Sequence, residues 1–145
     1  MSLNFIQETT EFRSLLDAVE QGALGINISG IIPAAKPYFL VQLLHASKKK
    51  IVFIRSSEAS LNRISEKVRF FLAQSDSSLE VFTLPPLMEN PYVEMAPSLD
   101  AVSARMRFFH DLPSKRPALV VTSLMGLLKP FPHPRDLPDL FLDVS

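Results

Sequence analysis

Residues 23–41 read ALGINISGIIPAAKPYFLV, and the fold turns on how this stretch is divided. Its first seven residues are short, apolar and rich in isoleucine, which predicts a buried strand over 23–29. A turn follows over 30–35. A helix is then expected through Gln42 to about His45, with Pro37 acceptable in its first turn. Strand, turn and helix in that order is where an open α/β sheet gathers its ligands.

Set against the phosphate-loop pattern G-x-x-x-x-G-K-[ST], Gly30 and Lys36 fall on matching positions. The second glycine is replaced by Ala35, and the final hydroxyl residue by Pro37. Such a loop aims successive backbone N–H groups at phosphate oxygens, in a conformation that glycine adopts most easily. Pro33 and Pro37 each remove a donor, Ala35 adds a methyl group where phosphate must approach, and Pro37 removes the hydroxyl that would hold magnesium. The loop is therefore read as degenerate, with no catalytic residue, no metal and no cofactor assigned to it.

The alternation of periods continues outward. Phe12, Leu15, Leu16 and Val19 repeat at helical spacing, and Gly22 follows as a cap. Residues 50–55 (KIVFIR) predict a second strand. Ser56 or Ser57 would cap a helix carrying Leu61, Ile64, Val68, Phe71 and Leu72. Residues 79–84 predict a third strand, and 85–97, with four prolines, neither helix nor central strand. Ser98 starts a helix expected to turn Leu99, Val102, Met106 and Phe109 inward. Residues 118–122 predict a fourth strand, followed by a short helix from Ser123 that stops before Pro130. The last residues, LFLDVS, read as a strand beginning.

Continuous apolar strands alternating with helices predict an α/β fold: a P-loop NTPase-like three-layer arrangement, its sheet mostly parallel, with helices on both faces. The expected organisation is an N-terminal helix (1–22), the degenerate P-loop-like α/β domain (23–133), and the start of a connection to a following domain (134–145).

The 145 residues are 47% hydrophobic and 21% charged, an ordinary globular composition. Fifteen basic residues balance fifteen acidic ones, so the chain lacks the basic excess of a phosphate-binding domain. Lys48, Lys49 and Lys50 form its one basic run, a possible nucleic-acid contact together with Arg63, Lys67 and Arg69, or else a solvated turn. There are no cysteines, which excludes disulfides and thiolate zinc sites and fits a cytoplasmic protein. His45, His110 and His133 lack a second ligand at helical spacing. No serine lies in a G-x-S-x-G elbow, and Asp143 is read as a solvated loop aspartate. The Phe70-Phe71 and Phe108-Phe109 pairs are read as core packing.

Residues 30–41 resemble the degenerate phosphate loop and following helix of bacterial transcription-repair coupling factors. Phe82-Thr83-Leu84-Pro85-Pro86, Asn90-Pro91-Tyr92 and Ala96-Pro97 resemble the family's proline-rich segment, although Leu87-Met88-Glu89 stands where a tryptophan–glutamate pair is usual. Asp100, Val102-Ser103 and Arg105-Met106 are similar to its next helix, and residues 117–128 (PALVVTSLMGLL) to the strand and short helix after that. The match runs from about Gly25 to His133. The resemblance implies the first lobe of a UvrB-like N-terminal module that does not hydrolyse ATP. It implies a role in DNA repair, as scaffold for recruitment of UvrA and as a restraint on a downstream DNA translocase. RNA polymerase and DNA would be met only through other domains of the same protein. A nucleotide-binding enzyme with an atypical loop, and a nucleic-acid-binding module using the three lysines, are the rival readings.

Overall fold

A computed structural model describes residues 5–75, 79–87, 98–112, 116–133 and 135–137. The proline-rich segment from Met88 to Pro97 and the strand expected at the C-terminal end, with Asp143, lie outside the described residues. The chain opens with a 3-10 turn (Phe5–Glu8) and helix α1 (Thr10–Glu20), and continues through α2 (Lys36–Ser47), β1 (Ile51–Arg55), α3 (Leu61–Ala73) and β2 (Glu80–Leu84) to α4 (Leu99–Asp111), β3 (Ala118–Ser123) and α5 (Leu124–Leu128). The three strands form one all-parallel sheet in the order β1-β3-β2.

β3 is central because it is the most apolar strand, and all six of its residues are buried. Its alternation divides the core in two. Leu119 and Val121 face α2 and α3, where they pack with Leu40, Val41, Leu44, Leu61, Val68 and Leu72. Val120 faces the other way, toward Phe108 and Phe109 of α4. Helices therefore cover both faces of the sheet. Each fully buried Val or Leu contributes about 1.5–3 kcal/mol relative to exposure. Between α3 and β2 the buried Ser65 Oγ lies 2.8 Å from Thr83 Oγ1, so neither hydroxyl is left without a partner.

The helix ends follow local chemistry. Thr9 caps α1 by accepting from Phe12 N at 3.3 Å, and Ser98 caps α4 by accepting from Ala101 N at 3.2 Å. α1 stops in a Schellman turn: Ala23 N donates to Ala18 O, Gly22 N donates to Val19 O, and Gly22 has φ +74°. α3 begins later than Ser56 or Ser57 suggests. Ser60 stands at its N-cap without capping it, since Ser60 Oγ accepts from Arg55 Nη2 at 2.9 Å.

Three sequence expectations are corrected. Residues 23–29 form no strand, bend at Leu24 and pair with no strand among the described residues, and all seven are exposed. Isoleucine and asparagine in alternation encode an extended backbone, but a strand also needs a neighbour offering free N–H and C=O groups. The second correction concerns α4, whose buried residues are Arg105, Phe108 and Phe109, while Leu99 is 83% exposed and Val102 lies at the surface. The inward face is rotated from the expected stripe because a cation, Arg105, occupies its middle. Third, Phe70 is exposed; only its neighbour Phe71 packs inward, in edge contact with Tyr38 and Phe70.

Candidate functional site

In the turn from Gly30 to Pro37, Gly30 and Lys36 stand at the spacing of the expected phosphate loop, and three of the residues there offer no free backbone N–H. Gly30 adopts φ +82°, and a Cβ there would meet nothing within 4 Å, so it serves a backbone bend and not a close approach. Pro33 is exposed and has no N–H to offer. The N–H of Ala35 is spent inside the turn, on Ile32 O at 3.0 Å. Ala35 then stands at the N-cap of α2 with no side chain able to cap it, Lys36 is the first helical residue, and Pro37 is buried in the first turn. Donation is thus missing at positions 33, 35 and 37. Pro37 instead packs into the protein, where its ring supports the helix start.

Beside this turn lies an open groove of about 400 Å3, lined mainly by Ile6, Phe12, Leu15, Ile26, Ile28 and Phe39. α1 supplies Phe12 and Leu15, held over α2 by edge contact of Phe12 with Phe39 at 5.9 Å. Gln7 Nε2 donates to the buried Gln42 Oε1 at 2.7 Å and fixes the N-terminal 3-10 turn to the same helix. Glu11 is the one charged residue in the lining, and Lys36 is not part of it. An apolar groove with a carboxylate and no cation suits an apolar contact and opposes a triphosphate.

The lysine run is used for structure. Lys48 terminates α2 in the left-handed region, φ 50°, with its N–H on Leu44 O. Lys49 Nζ donates to Val19 O at 3.1 Å, near the C-terminus of α1, and Lys50 Nζ donates to Leu112 O at 3.2 Å, at the end of α4. Two ammonium groups thus meet two helix C-termini, where carbonyls lack intrahelical donors and the dipole is negative. On α3, Arg63 and Lys67 are exposed and Arg69 donates to Val81 O of β2 at 3.3 Å. Of these six cations, Lys49, Lys50 and Arg69 donate to backbone carbonyls, and Lys48 closes α2.

A polar cluster that the sequence pattern does not announce lies at the C-terminal ends of β2 and β3. Arg105 is only 4% exposed and donates through Nη1 to Pro85 O at 3.1 Å and Gly126 O at 3.0 Å, and through Nη2 to Lys129 O at 3.4 Å. Its guanidinium stacks near Phe109 and Phe131, 5.5 and 5.3 Å from the ring centroids. Burial lowers its pKa from the ordinary value. The buried Thr122 Oγ1 donates to Leu84 O at 3.0 Å, and Ser123 Oγ accepts from Gly126 N at 3.1 Å. Arginine on a helix reads as surface by polarity alone, so no periodicity argument finds this site. Three of its hydrogen bonds go to backbone carbonyls, which makes it a brace tying α4 to the chain after β2 and to α5 and its end.

Among the described residues no three His, Cys, Asp or Glu side chains approach closely enough to hold a metal. His45 Nε2 lies 2.8 Å from Ser75 Oγ, His110 Nδ1 lies 2.9 Å from Asp111 Oδ1, and His133 Nδ1 accepts from Arg135 N. No described helix is long and apolar enough to cross a membrane. Comparison of the chain with protein-family models, with curated proteins and with solved structures finds no match.

Proposed function

We propose that this chain is the non-catalytic first lobe of a UvrB-like N-terminal module of a bacterial transcription-repair coupling factor, cytoplasmic and P-loop NTPase-like in ancestry. It acts as a scaffold in recruiting UvrA and as a restraint on a DNA translocase elsewhere in the same protein. The observation that carries the reading is the turn at 30–37: the spacing of a phosphate loop persists while donation at positions 33, 35 and 37 does not. An enzyme under demand for ATP would keep those donors, whereas a module retained for protein contacts needs only the turn that leads into the helix. The ordered blocks of resemblance from Gly25 to His133 supply the family. The groove beside the turn favours an apolar protein contact, with the other domains of the same protein as its first candidates.

Calorimetric titration of the purified protein with magnesium-ATP is the first test. Silence up to millimolar nucleotide is expected; a saturable micromolar isotherm would return the chain to the nucleotide-binding enzymes. The repair role is tested by association with purified UvrA of a version extended past Ser145. A complex is expected there, and its absence would remove the assignment to this family.

A further inference from the structure

β2 lies at one side of the described sheet, with α3 packed on one face and α4 on the other. Beside it is a cleft of about 260 Å3 that shares no lining residue with the groove near the turn at 30–37. α4 lines it with Ala104, Arg107, Phe108 and Asp111, which repeat at helical spacing and so share one face. α3 contributes Arg69, and β2 contributes Val81 and Phe82. Two guanidinium groups therefore reach one small cleft from helices on opposite faces of the sheet.

No described carboxylate pairs with either of them. Arg69 Nη2 donates to Val81 O at 3.3 Å, which holds the side chain against the strand and leaves its remaining N–H groups without an acceptor among the described residues. Arg107 is exposed and makes no hydrogen bond or ion pair among the described residues. Asp111 is the one acidic residue in the lining, and its Oδ1 lies 2.9 Å from Nδ1 of its neighbour His110. Like charges that converge on a confined space raise its potential for an anion, and the planar fork of a guanidinium matches paired oxygens. The rest of the wall is apolar: Val81, Phe82, Ala104 and the buried Phe108. Such a mixture suits an anionic head on a short carbon body better than a bare ion.

We propose that this cleft binds a small organic oxyanion, a carboxylate or phosphate monoester on a short apolar body, held between Arg69 and Arg107. Arg69 is positioned in advance by Val81 O, so binding has mainly Arg107 left to order. The site stands whether or not the repair assignment does.

The test follows the Nε–H resonances of the arginines by NMR while the protein is titrated with benzoate, with phenyl phosphate and with neutral benzyl alcohol. Both anions should move Arg69 and Arg107 along one saturable curve, with a dissociation constant of about 1 mM or tighter, and whichever binds more tightly names the head group. Arg63, exposed on the same helix as Arg69 and outside the cleft, should stay still. Arg107→Gln should weaken binding at least about tenfold, and Lys67→Gln, outside the lining, less than about twofold. Arg107 has no described partner to lose, so the variant should keep the rest of the spectrum and report on binding alone. Shifts that fail to saturate by about 20 mM, an equal response at Arg63, equal binding of benzyl alcohol, or an Arg107→Gln variant that binds as wild type would each overturn the assignment.

Discussion

Replacing Arg105 with methionine keeps the length and apolar stem of the side chain and removes its charge and donors. Three carbonyls lose a partner. The bond to Gly126 O is fully buried, and stranding it costs about 1–3 kcal/mol. Those to Pro85 O and Lys129 O are partly buried, so water replaces the guanidinium there and each costs less, about 0.5–1 kcal/mol. Loss of stacking on Phe109 and Phe131 adds about 0.5–1 kcal/mol, and relief of the buried charge returns part of the sum. A net loss of about 2–4 kcal/mol follows. Urea unfolding followed by circular dichroism reads it as a midpoint lowered by about 1–2 M at a typical slope of about 2 kcal/mol/M. Arg105→Lys retains the charge but cannot span three acceptors, so it should fall between. Because burial lowers the pKa of a base, the unfolded chain holds this proton more tightly, and stability linked to Arg105 would rise with pH only in strong alkali. The difference between wild type and Arg105→Met should therefore not change across the physiological pH range. A methionine variant within about 0.5 kcal/mol of wild type would refute the brace.

Gly126→Ala would place a Cβ 2.5 Å from Thr122 Oγ1 and 3.3 Å from Leu84 O, and should cost about 1–3 kcal/mol by thermal or urea unfolding, with Thr122→Ala recovering part of it in a double-mutant cycle. Lys48→Gly relieves the left-handed backbone at the end of α2 and should raise stability by about 0.5–1 kcal/mol, since the gain in φ exceeds the added freedom of the unfolded chain. Lys36→Ala should leave stability within about 0.5 kcal/mol of wild type; a loss above about 1 kcal/mol on chemical denaturation would show that Lys36 has a structural partner. Thr9→Ala removes the cap that accepts from Phe12 N and should cost about 1 kcal/mol.

The paired strands were legible because their residues suit burial on two faces: IVFIR, EVFTL and ALVVTS carry runs that few other environments accept. Gly22 and Ser98 were legible as caps because their chemistry is local. Residues 23–29 were not, because ALGINIS specifies a backbone shape and says nothing about whether a neighbour is present. The inner face of α4 escaped for a different reason. Hydropathy ranks Arg105 as surface, and only the convergence of three backbone carbonyls, none adjacent to it in sequence, makes its burial tolerable. The contacts of the lysine run were not legible either: Lys49 and Lys50 reach Val19 O and Leu112 O only because α1 and α4 end beside them. In the candidate site, the missing donors at Pro33 and Pro37 were readable from covalent structure alone, whereas the loss at Ala35 required its bond to Ile32.

The strand order carries a kinetic consequence. Of the three described strands β3 is made last yet lies in the middle, and it joins Ile51 to Leu119 and Glu80 to Ala118. β1 and β2 have no contact in the sheet except through it. On a ribosome, both would leave the exit tunnel with no partner, and no part of the sheet could close until residues 118–123 had followed them. Contacts so distant in sequence slow folding, and the waiting strands are exposed to other chains meanwhile. Synthesis halted before Ala118 should therefore yield nascent chains whose α2 and α3 are open to proteolysis, and protection should appear in one step as β3 emerges.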